Sequence, residues 1–257
     1  MPNAPMLDVA PDMARLCRTA AEHVAEIAAG AIGARGRFTI ALAGGSTPRE
    51  LYGLLATPAW AERIEWRRAH VFFGDERCVP PVDRASNYGM AREALLAHVP
   101  VPEEQVHRVR GEDDPPTAAE EYEHTLRTEF AAPTGPPRPE PGGGFDLALF
   151  GMGENGHTAS LFPHRPAVRE AVRWVVADAV AAVARWRVTL TPVVLNASDA
   201  VLFLVAGKAK AGMLRRVLEG PRDPDALPVQ AIAPRSGRIR WMVDAAAASE
   251  LRRQATR

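Results

Sequence analysis

Seven short apolar runs, each closed by a turn signal and separated from the next by polar or helical stretches, constrain this chain more than any other feature. They cover residues 38–43, 70–73, 173–176, 188–190, 201–205 and 239–243, together with the run that opens FDLALFGMGENGHTASLFP at 145–163. Short continuous apolar runs bounded by glycine or proline read as buried strands. Strands alternating with helices build βαβ units, so the expected fold is α/β: a doubly wound, mainly parallel sheet with helices on both faces.

The intervening stretches carry helix signals. In 11–31, Met13, Leu16, Ala20, Val24, Ile27 and Ala31 recur at steps of three and four, with Gly33 and Gly36 as stops. The spacing predicts further helices after GGST, over 86–97 with Ser86 as N-cap, over 117–130 opened by a Thr117-x-x-Glu120 capping box, and over 208–218. The segment AAPTGPPRPEPGGG at 131–144 cannot continue a helix, because proline lacks the amide donor and glycine is entropically costly. It reads as a long surface loop inside one domain spanning 1–257.

Composition excludes several classes. At 257 residues and 47% hydrophobic content the chain can bury a substantial core. A formal net charge of zero argues against a nucleic-acid or membrane-surface partner, which a clear basic excess would serve. Cys17 and Cys78 lie far apart with no CxxC or Cys/His spacing, so neither a disulfide framework nor a zinc site is indicated. The N-terminal residues lack an apolar signal core, and no run approaches the ~18 residues of a membrane span. The expectation is a cytoplasmic monomer or small homo-oligomer.

Three turns carry chemistry. Gly44-Gly45-Ser46-Thr47-Pro48 joins a strand to a helix; Thr47 as cap and Glu50 as its capping-box partner account for the hydroxyl and the carboxylate, but not for the paired glycines. Free amides at a helix N-terminus with adjoining hydroxyls make a phosphate site. Pro48 in the last position rules out a G-x-S-x-G nucleophile elbow. Gly74-Asp75-Glu76-Arg77 follows the second strand directly. Gly151-x-Gly153-x-x-Gly156 precedes His157, with Thr158 and Ser160 beside it.

The last of these matches the dinucleotide fingerprint in form, and Asp178 falls near the ribose-binding distance. Pro163 and Pro166 break the segment before a long helix can form, which argues against a nicotinamide cofactor. In a parallel sheet the three turns converge at the carboxyl ends of the strands, where ligands bind. Arg187 in RVTLT and Lys208 in VAGKAK also sit at strand edges. Together they can neutralise a phosphate dianion, each charge-assisted bond being worth roughly 1.5 to 3 kcal/mol.

The segments ALAGGSTP (41–48), FGDERCVPPVDRASN (73–87), the glycine-rich turn at 146–163, RVTLTPVVLN (187–196), GKAKAGML (207–214) and LPVQAI (227–232) occur in one order over most of the chain. In that order they resemble the 6-phosphogluconolactonases of the glucosamine-6-phosphate isomerase/6-phosphogluconolactonase family. The resemblance implies a modified Rossmann-like domain without a nucleotide. It also implies cofactor-free and metal-free hydrolysis of 6-phospho-D-glucono-1,5-lactone to 6-phospho-D-gluconate in the oxidative pentose phosphate pathway. A small-molecule sugar-phosphate lactone is then the partner.

On that basis His157 is the expected general base, since an unperturbed imidazole titrating near 6.5 is mostly neutral at cell pH. Gly44, Gly45, Ser46, Thr47, Arg187 and Lys208 are expected to hold the phosphate. Arg77, or the amides of the Gly151–Gly156 turn including Gly153 and Gly156, are expected to meet the oxyanion, and Asp75 to order the network. The chain departs from the family at Asn155, where an aspartate usually stands two residues before the histidine. Asn155 can fix a tautomer but brings no charge, so a less basic His157 is expected, aided by Glu154. The usual LFPG reads Leu161-Phe162-Pro163-His164 here.

Two other readings stand beside it. Amino-sugar-phosphate isomerase/deaminases share the phosphate turn, but they carry DEY after the second strand and an IAFNEP-like run after the histidine, where this chain has DERCVP and TASLFP. A non-catalytic sugar-phosphate sensor would leave the candidate base without a task, and no helix-turn-helix or basic reading surface accompanies it.

Overall fold

The computed structural model describes residues 6–131, 143–180, 185–234 and 238–252. The chain runs through β1 (Met6–Ala10), α1 (Met13–Arg35), β2 (Phe38–Leu42), α2 (Ser46–Leu55), the short α3 (Pro58–Ala61), β3 (Ala69–Phe73) and β4 (Asp75–Arg77). It continues through α4 (Asn87–Ala91), α5 (Pro115–Glu129), β5 (Leu147–Phe150), β6 (Val175–Val180) and β7 (Arg185–Leu190). The last elements are α6 (Pro192–Leu195), β8 (Ala200–Val205), α7 (Ala211–Glu219) and β9 (Arg238–Asp244). Among the described residues, no helix is long and apolar enough to cross a membrane.

Six strands form one parallel sheet in the order β1-β9-β8-β5-β2-β3. The strand sequence reverses between β2 and β5: the chain leaves β2 toward β3 on one side and β5 toward β8 and β9 on the other. A crevice opens beyond the carboxyl ends of the strands at such a reversal. Alternate side chains of each strand enter opposite cores. Ile40, Leu42, Leu147, Leu149, Leu202 and Leu204 pack with α1 and α2 on one face, while Ala41, Ala148, Phe150, Val201, Phe203 and Val205 enter the other. Burial on both faces is why these strands read as continuous apolar runs.

The second face is covered partly by a separate antiparallel sheet, β4-β7-β6, whose Val175, Val188 and Leu190 share one apolar cluster with Phe150 and Phe203. That sheet was not expected. Its first strand is the three charged residues of Asp75–Arg77, which carry no apolar signal, and the apolar runs of β6 and β7 do not by themselves tell an antiparallel sheet from another parallel layer. β1 was not expected either.

Several helix boundaries differ from the sequence expectation for local reasons. α1 passes through Gly33 and stops at Gly36, whose φ of 76° lets its amide close onto the Ile32 carbonyl at 2.8 Å. α5 begins at Pro115 and is capped by Asp114, which accepts from the Thr117 amide and hydroxyl at 3.3 and 3.0 Å, so Thr117 is not the cap. Ser86 does cap α4, accepting from the Gly89 amide at 2.9 Å, but the helix then widens into a π turn over Arg92–Leu96. The stretch 208–218 begins as a 3-10 turn, Lys208–Lys210, before α7. Of the expected loop at 131–144, residues 132–142 lie outside the described residues.

Two buried tyrosines fix where the strands release the chain. The Tyr52 hydroxyl accepts from the Ala43 amide at 2.9 Å and donates to the Ala43 carbonyl at 2.8 Å. The Tyr122 hydroxyl does the same at Phe73, at 2.8 and 3.0 Å. Each phenol satisfies both backbone groups of one residue at a strand end, immediately before a turn that carries chemistry. Burial pushes both phenols far above their ordinary pKa, so each stays a donor.

Candidate active site

The first turn is shaped by its two glycines. Gly45 is the N-cap of α2 at φ 105°, a backbone region L side chains rarely adopt. A Cβ on Gly44 would lie 2.0 Å from Oδ1 of Asn87. No side chain caps the helix, contrary to the expectation for Thr47. Ser46 and Thr47 are instead its first two residues, and helix geometry gives their amides no intrahelical acceptor. The N-terminus of this ten-residue helix is thereby left to an anion.

The second turn is organised by Glu76, a residue to which the sequence assigned no role. Its carboxylate is buried and accepts from the amides of Arg77, Asn87 and Tyr88 at 2.7–2.8 Å and from the Ser86 hydroxyl at 3.0 Å. Burial raises its pKa and these donors oppose the shift. The effect is to fold the 77–87 loop back so that Asn87 meets Asp75. Asp75 accepts from Asn87 Nδ2 at 3.1 Å and from Ser160 Oγ at 2.6 Å, which ties the second turn to the third.

The third turn holds His157. The Gly153 amide donates to the His157 carbonyl at 2.8 Å, and the Gly156 amide to the Gly153 carbonyl at 3.0 Å, with Gly156 at φ 81°. A Cβ on Gly153 would fall 2.0 Å from His157 Nδ1, so the ring lies against bare backbone. Asn155 Oδ1 accepts from the His157 amide at 3.2 Å and from Nδ1 at 2.5 Å. With both donors facing that oxygen, Nδ1 carries the ring proton and Nε2 is the basic nitrogen. Phe162 stacks on the imidazole at 4.4 Å between centroids.

Ala159, at φ 48°, turns the hydroxyls on either side of it inward: Thr158 to the Gly151 carbonyl at 2.9 Å, Ser160 to Asp75. His164, in place of the family glycine, keeps a left-handed φ of 61° and is held by Asp225, with Nδ1 to carboxylate at 2.9 Å. The left-handed turn is therefore kept by a histidine whose ring is hydrogen-bonded to Asp225.

These turns line one cavity of about 240 Å³ at the β2/β5 reversal. Gly44, Gly45, Ser46, Thr47, Asp75, Arg77, Gly153 and His157 all border it, as do Asn87 and Lys210. Four expected residues do not. Asn155 stands behind His157, and Gly156 spends its amide inside the turn, as Gly153 does, so neither glycine amide is left for an oxyanion. Arg187 lies across from Arg77 in the β4/β7 register, outside the lining. Lys208 is exposed on its 3-10 turn, whereas Lys210, two residues on, faces the cavity and pairs with Glu154 at 3.8 Å.

The sequence pointed to Lys208 because it follows Gly207 at the strand end. Side chains two apart in a 3-10 turn point in different directions, and only the turn type decides between them.

The site is short of partners for cations. Arg77 Nη1 donates to the Ala85 carbonyl. The Nε atoms of Arg77 and Arg187, and Oδ1 of Asn87, are buried without a hydrogen-bond partner among the described residues. Burial and the neighbouring Arg77 pull Arg187 below its ordinary pKa. Two adjacent guanidinium groups with unspent donors invite an anion.

His157 is held below 6.5, chiefly by burial and further by Lys210, Arg187 and Arg77, with Asp75 opposing. It is neutral at pH 7. Neither cysteine competes as nucleophile: Cys17 is buried, Cys78 half-buried, and burial pushes both thiols up to about 11. Asp178 is bound to Arg165, with Nε to carboxylate at 3.0 Å, and so is not free for a ribose.

Residues 11–241 match the family model described as glucosamine-6-phosphate isomerases/6-phosphogluconolactonase. The chain is 39% identical over 251 residues to a 6-phosphogluconolactonase of Nostoc sp., covering 95% of this chain and 98% of that one. It is 38% identical over 252 residues to a 6-phosphogluconolactonase of Mycobacterium tuberculosis, covering 95% and 98%. The solved structure of 6-phosphogluconolactonase from Trypanosoma cruzi superimposes with a TM-score of 0.84 at 30% identity, covering 98% of this chain and 99% of that chain.

Proposed function

The chain belongs to the glucosamine-6-phosphate isomerase/6-phosphogluconolactonase family, and we propose that it hydrolyses 6-phospho-D-glucono-1,5-lactone to 6-phospho-D-gluconate with His157 as general base. One observation carries the reading: a neutral imidazole whose Nδ1 proton is committed to Asn155 borders the same cavity as an uncapped helix N-terminus and Lys210.

A δ-lactone is an activated ester, so little catalysis is needed beyond positioning and one proton shuttle. Nε2 of His157 takes a proton from water as the oxygen adds to the lactone carbonyl. The tetrahedral oxyanion is met by Arg77, a side-chain donor that borders the cavity, the amides of Gly153 and Gly156 being used inside their turn; such a donor is worth about 3 kcal/mol. As the ring C–O bond breaks, Nε2–H returns the proton to the departing oxygen and the imidazole is again neutral. The Ser46 and Thr47 amides and hydroxyls with Lys210 hold the phosphate, and Arg187 adds its charge from behind. Asp75 keeps the second and third turns in register through Asn87 and Ser160.

The deciding assay uses freshly prepared lactone, corrected for spontaneous opening; turnover above that background is expected, and its absence overturns the proposal. Lys210→Ala is expected to raise KM about 10- to 100-fold with kcat little changed, the loss of one charge-assisted bond. Lys208→Ala is expected to stay within about twofold of the parent. Equal effects of the two substitutions would return the phosphate contact to Lys208.

The pH profile follows from the sign of the His157 shift. The active base is deprotonated, so kcat/KM falls as pH drops through its pKa, and the acid limb lies below 6.5. Asn155→Asp places a negative charge on Nδ1–H, favours imidazolium, and moves that limb to higher pH. A limb that stays in place shows that the Asn155 contact does not set the basicity of the ring.

A further inference from the structure

Among the described residues, one cluster of metal-ligating side chains lies outside the machinery above: His70, His107 and Glu129. Three separate elements bring them together. His70 is the second residue of β3, and the His107 amide donates to the Val71 carbonyl at 2.8 Å, which lays the 106–107 backbone alongside that strand. Glu129 ends α5. His70 Nδ1 is 3.3 Å from His107 Nε2 and 3.4 Å from Glu129 Oε2, and His107 Nε2 is 3.8 Å from Glu129 Oε1.

We propose that His70, His107 and Glu129 bind a divalent zinc-like metal ion at the amino end of β3. Zinc held at about 2.05 Å by nitrogen and oxygen ligands in a tetrahedron separates neighbouring donors by about 3.3 Å. The edge between the imidazoles already has that length; the carboxylate presents Oε2 to His70 at 3.4 Å and Oε1 to His107 at 3.8 Å, and a rotation of the carboxylate brings a single oxygen to both, the three ligand atoms lying within 4.8 Å of one another. A hydrogen-bonded His–His pair accounts for one contact only, whereas a shared ion accounts for the convergence of all three.

The surroundings suit the role. Phe72 stacks on His107 at 4.4 Å between centroids and fixes its plane. Each side chain keeps 12–22% of its surface open, enough for entry and for water in the fourth position. Arg37 donates to the Glu129 carboxylate at 3.3 Å and to its carbonyl at 2.7 Å. It can retain one carboxylate oxygen while the other turns to the metal, the outer-shell arrangement common at such sites, and its charge tempers the affinity. The ion would pin the end of α5 to the edge strand of the sheet, about five residues or ~16 Å of strand from Asp75.

The test uses full-length protein stripped with chelator, with Zn2+ and Co2+ as probes. At a hundredfold excess over Kd, Zn2+ is expected to raise the melting temperature by about 5 to 10 °C. Co2+ is expected to give the visible absorption of a four-coordinate site at one equivalent. Both signals persist in His157→Ala, vanish in His70→Ala, and require at least about tenfold more metal in Glu129→Gln. Lactonase turnover like that of the parent shows that the His70→Ala variant is folded. Should that variant not fold, Glu129→Gln and the cobalt spectrum of the parent protein carry the test. A parent protein that responds to neither ion, or variants that respond as the parent does, overturn the proposal.

Discussion

Replacing His157 with alanine is expected to lower kcat for the lactone by about 10²- to 10⁴-fold and to leave KM within about twofold. The size reflects what the imidazole contributes. Without it, water must attack as a neutral nucleophile, and the departing oxygen must draw its proton from solvent. The residual rate is expected to come from Arg77 and from the orientation imposed by the proposed phosphate anchor, which the substitution does not touch, because Ser46, Thr47 and Lys210 belong to other turns of the chain. Steady-state kinetics on fresh lactone decide the point. An unchanged kcat removes His157 from the chemistry, and a loss appearing mainly in KM makes it a binding residue.

Gly153→Ala is expected to lose about 10²-fold in kcat although no catalytic group is removed. The added methyl would lie 2.0 Å from Nδ1 and 2.1 Å from Cε1 of His157, far inside contact distance, so the ring or the turn must move. The turn cannot open freely, since the Gly153 amide closes it onto the His157 carbonyl at 2.8 Å. A displacement of about 1 Å at a reacting group costs on the order of 10² in rate. Gly151→Ala is the matched control: its added methyl would find the Leu204 carbonyl at 3.9 Å as the nearest atom, and activity within a few-fold of the parent is expected. Similar losses in both variants would mean that the turn tolerates no side chain for reasons unrelated to the imidazole.

Much of this arrangement could be read from residues alone. The alternation of apolar runs with helices indicated a doubly wound parallel sheet, and Gly44-Gly45-Ser46-Thr47, Asp75-Glu76-Arg77 and Gly153 to His157 were each recognisable as turns at strand ends. That they meet follows from topology, because successive parallel strands put their carboxyl ends on one side. What stayed hidden depended on side-chain direction or distant pairing. Lys210, and not Lys208, borders the cavity because a 3-10 turn rotates the pair. Glu76 and Asn87 matter through hydrogen bonds across a loop of ten residues, which no local pattern announces. The antiparallel sheet begins with charged residues, so hydropathy is silent there. His70, His107 and Glu129 are far apart in sequence, with no ligand spacing to betray them.

The tyrosine clamps at Ala43 and Phe73 separate two tasks that turns at strand ends usually share. The exit of each strand is secured by a phenol reaching in from a helix, so Ser46 and Thr47, just beyond the first, need not hold the sheet together, whereas Asp75 to Arg77, beyond the second, are themselves fixed as β4. Substrate preference can therefore drift at Ser46 and Thr47 while the frame that presents them is inherited unchanged. The same separation makes these two residues suitable positions at which to retune the enzyme toward other phosphorylated lactones.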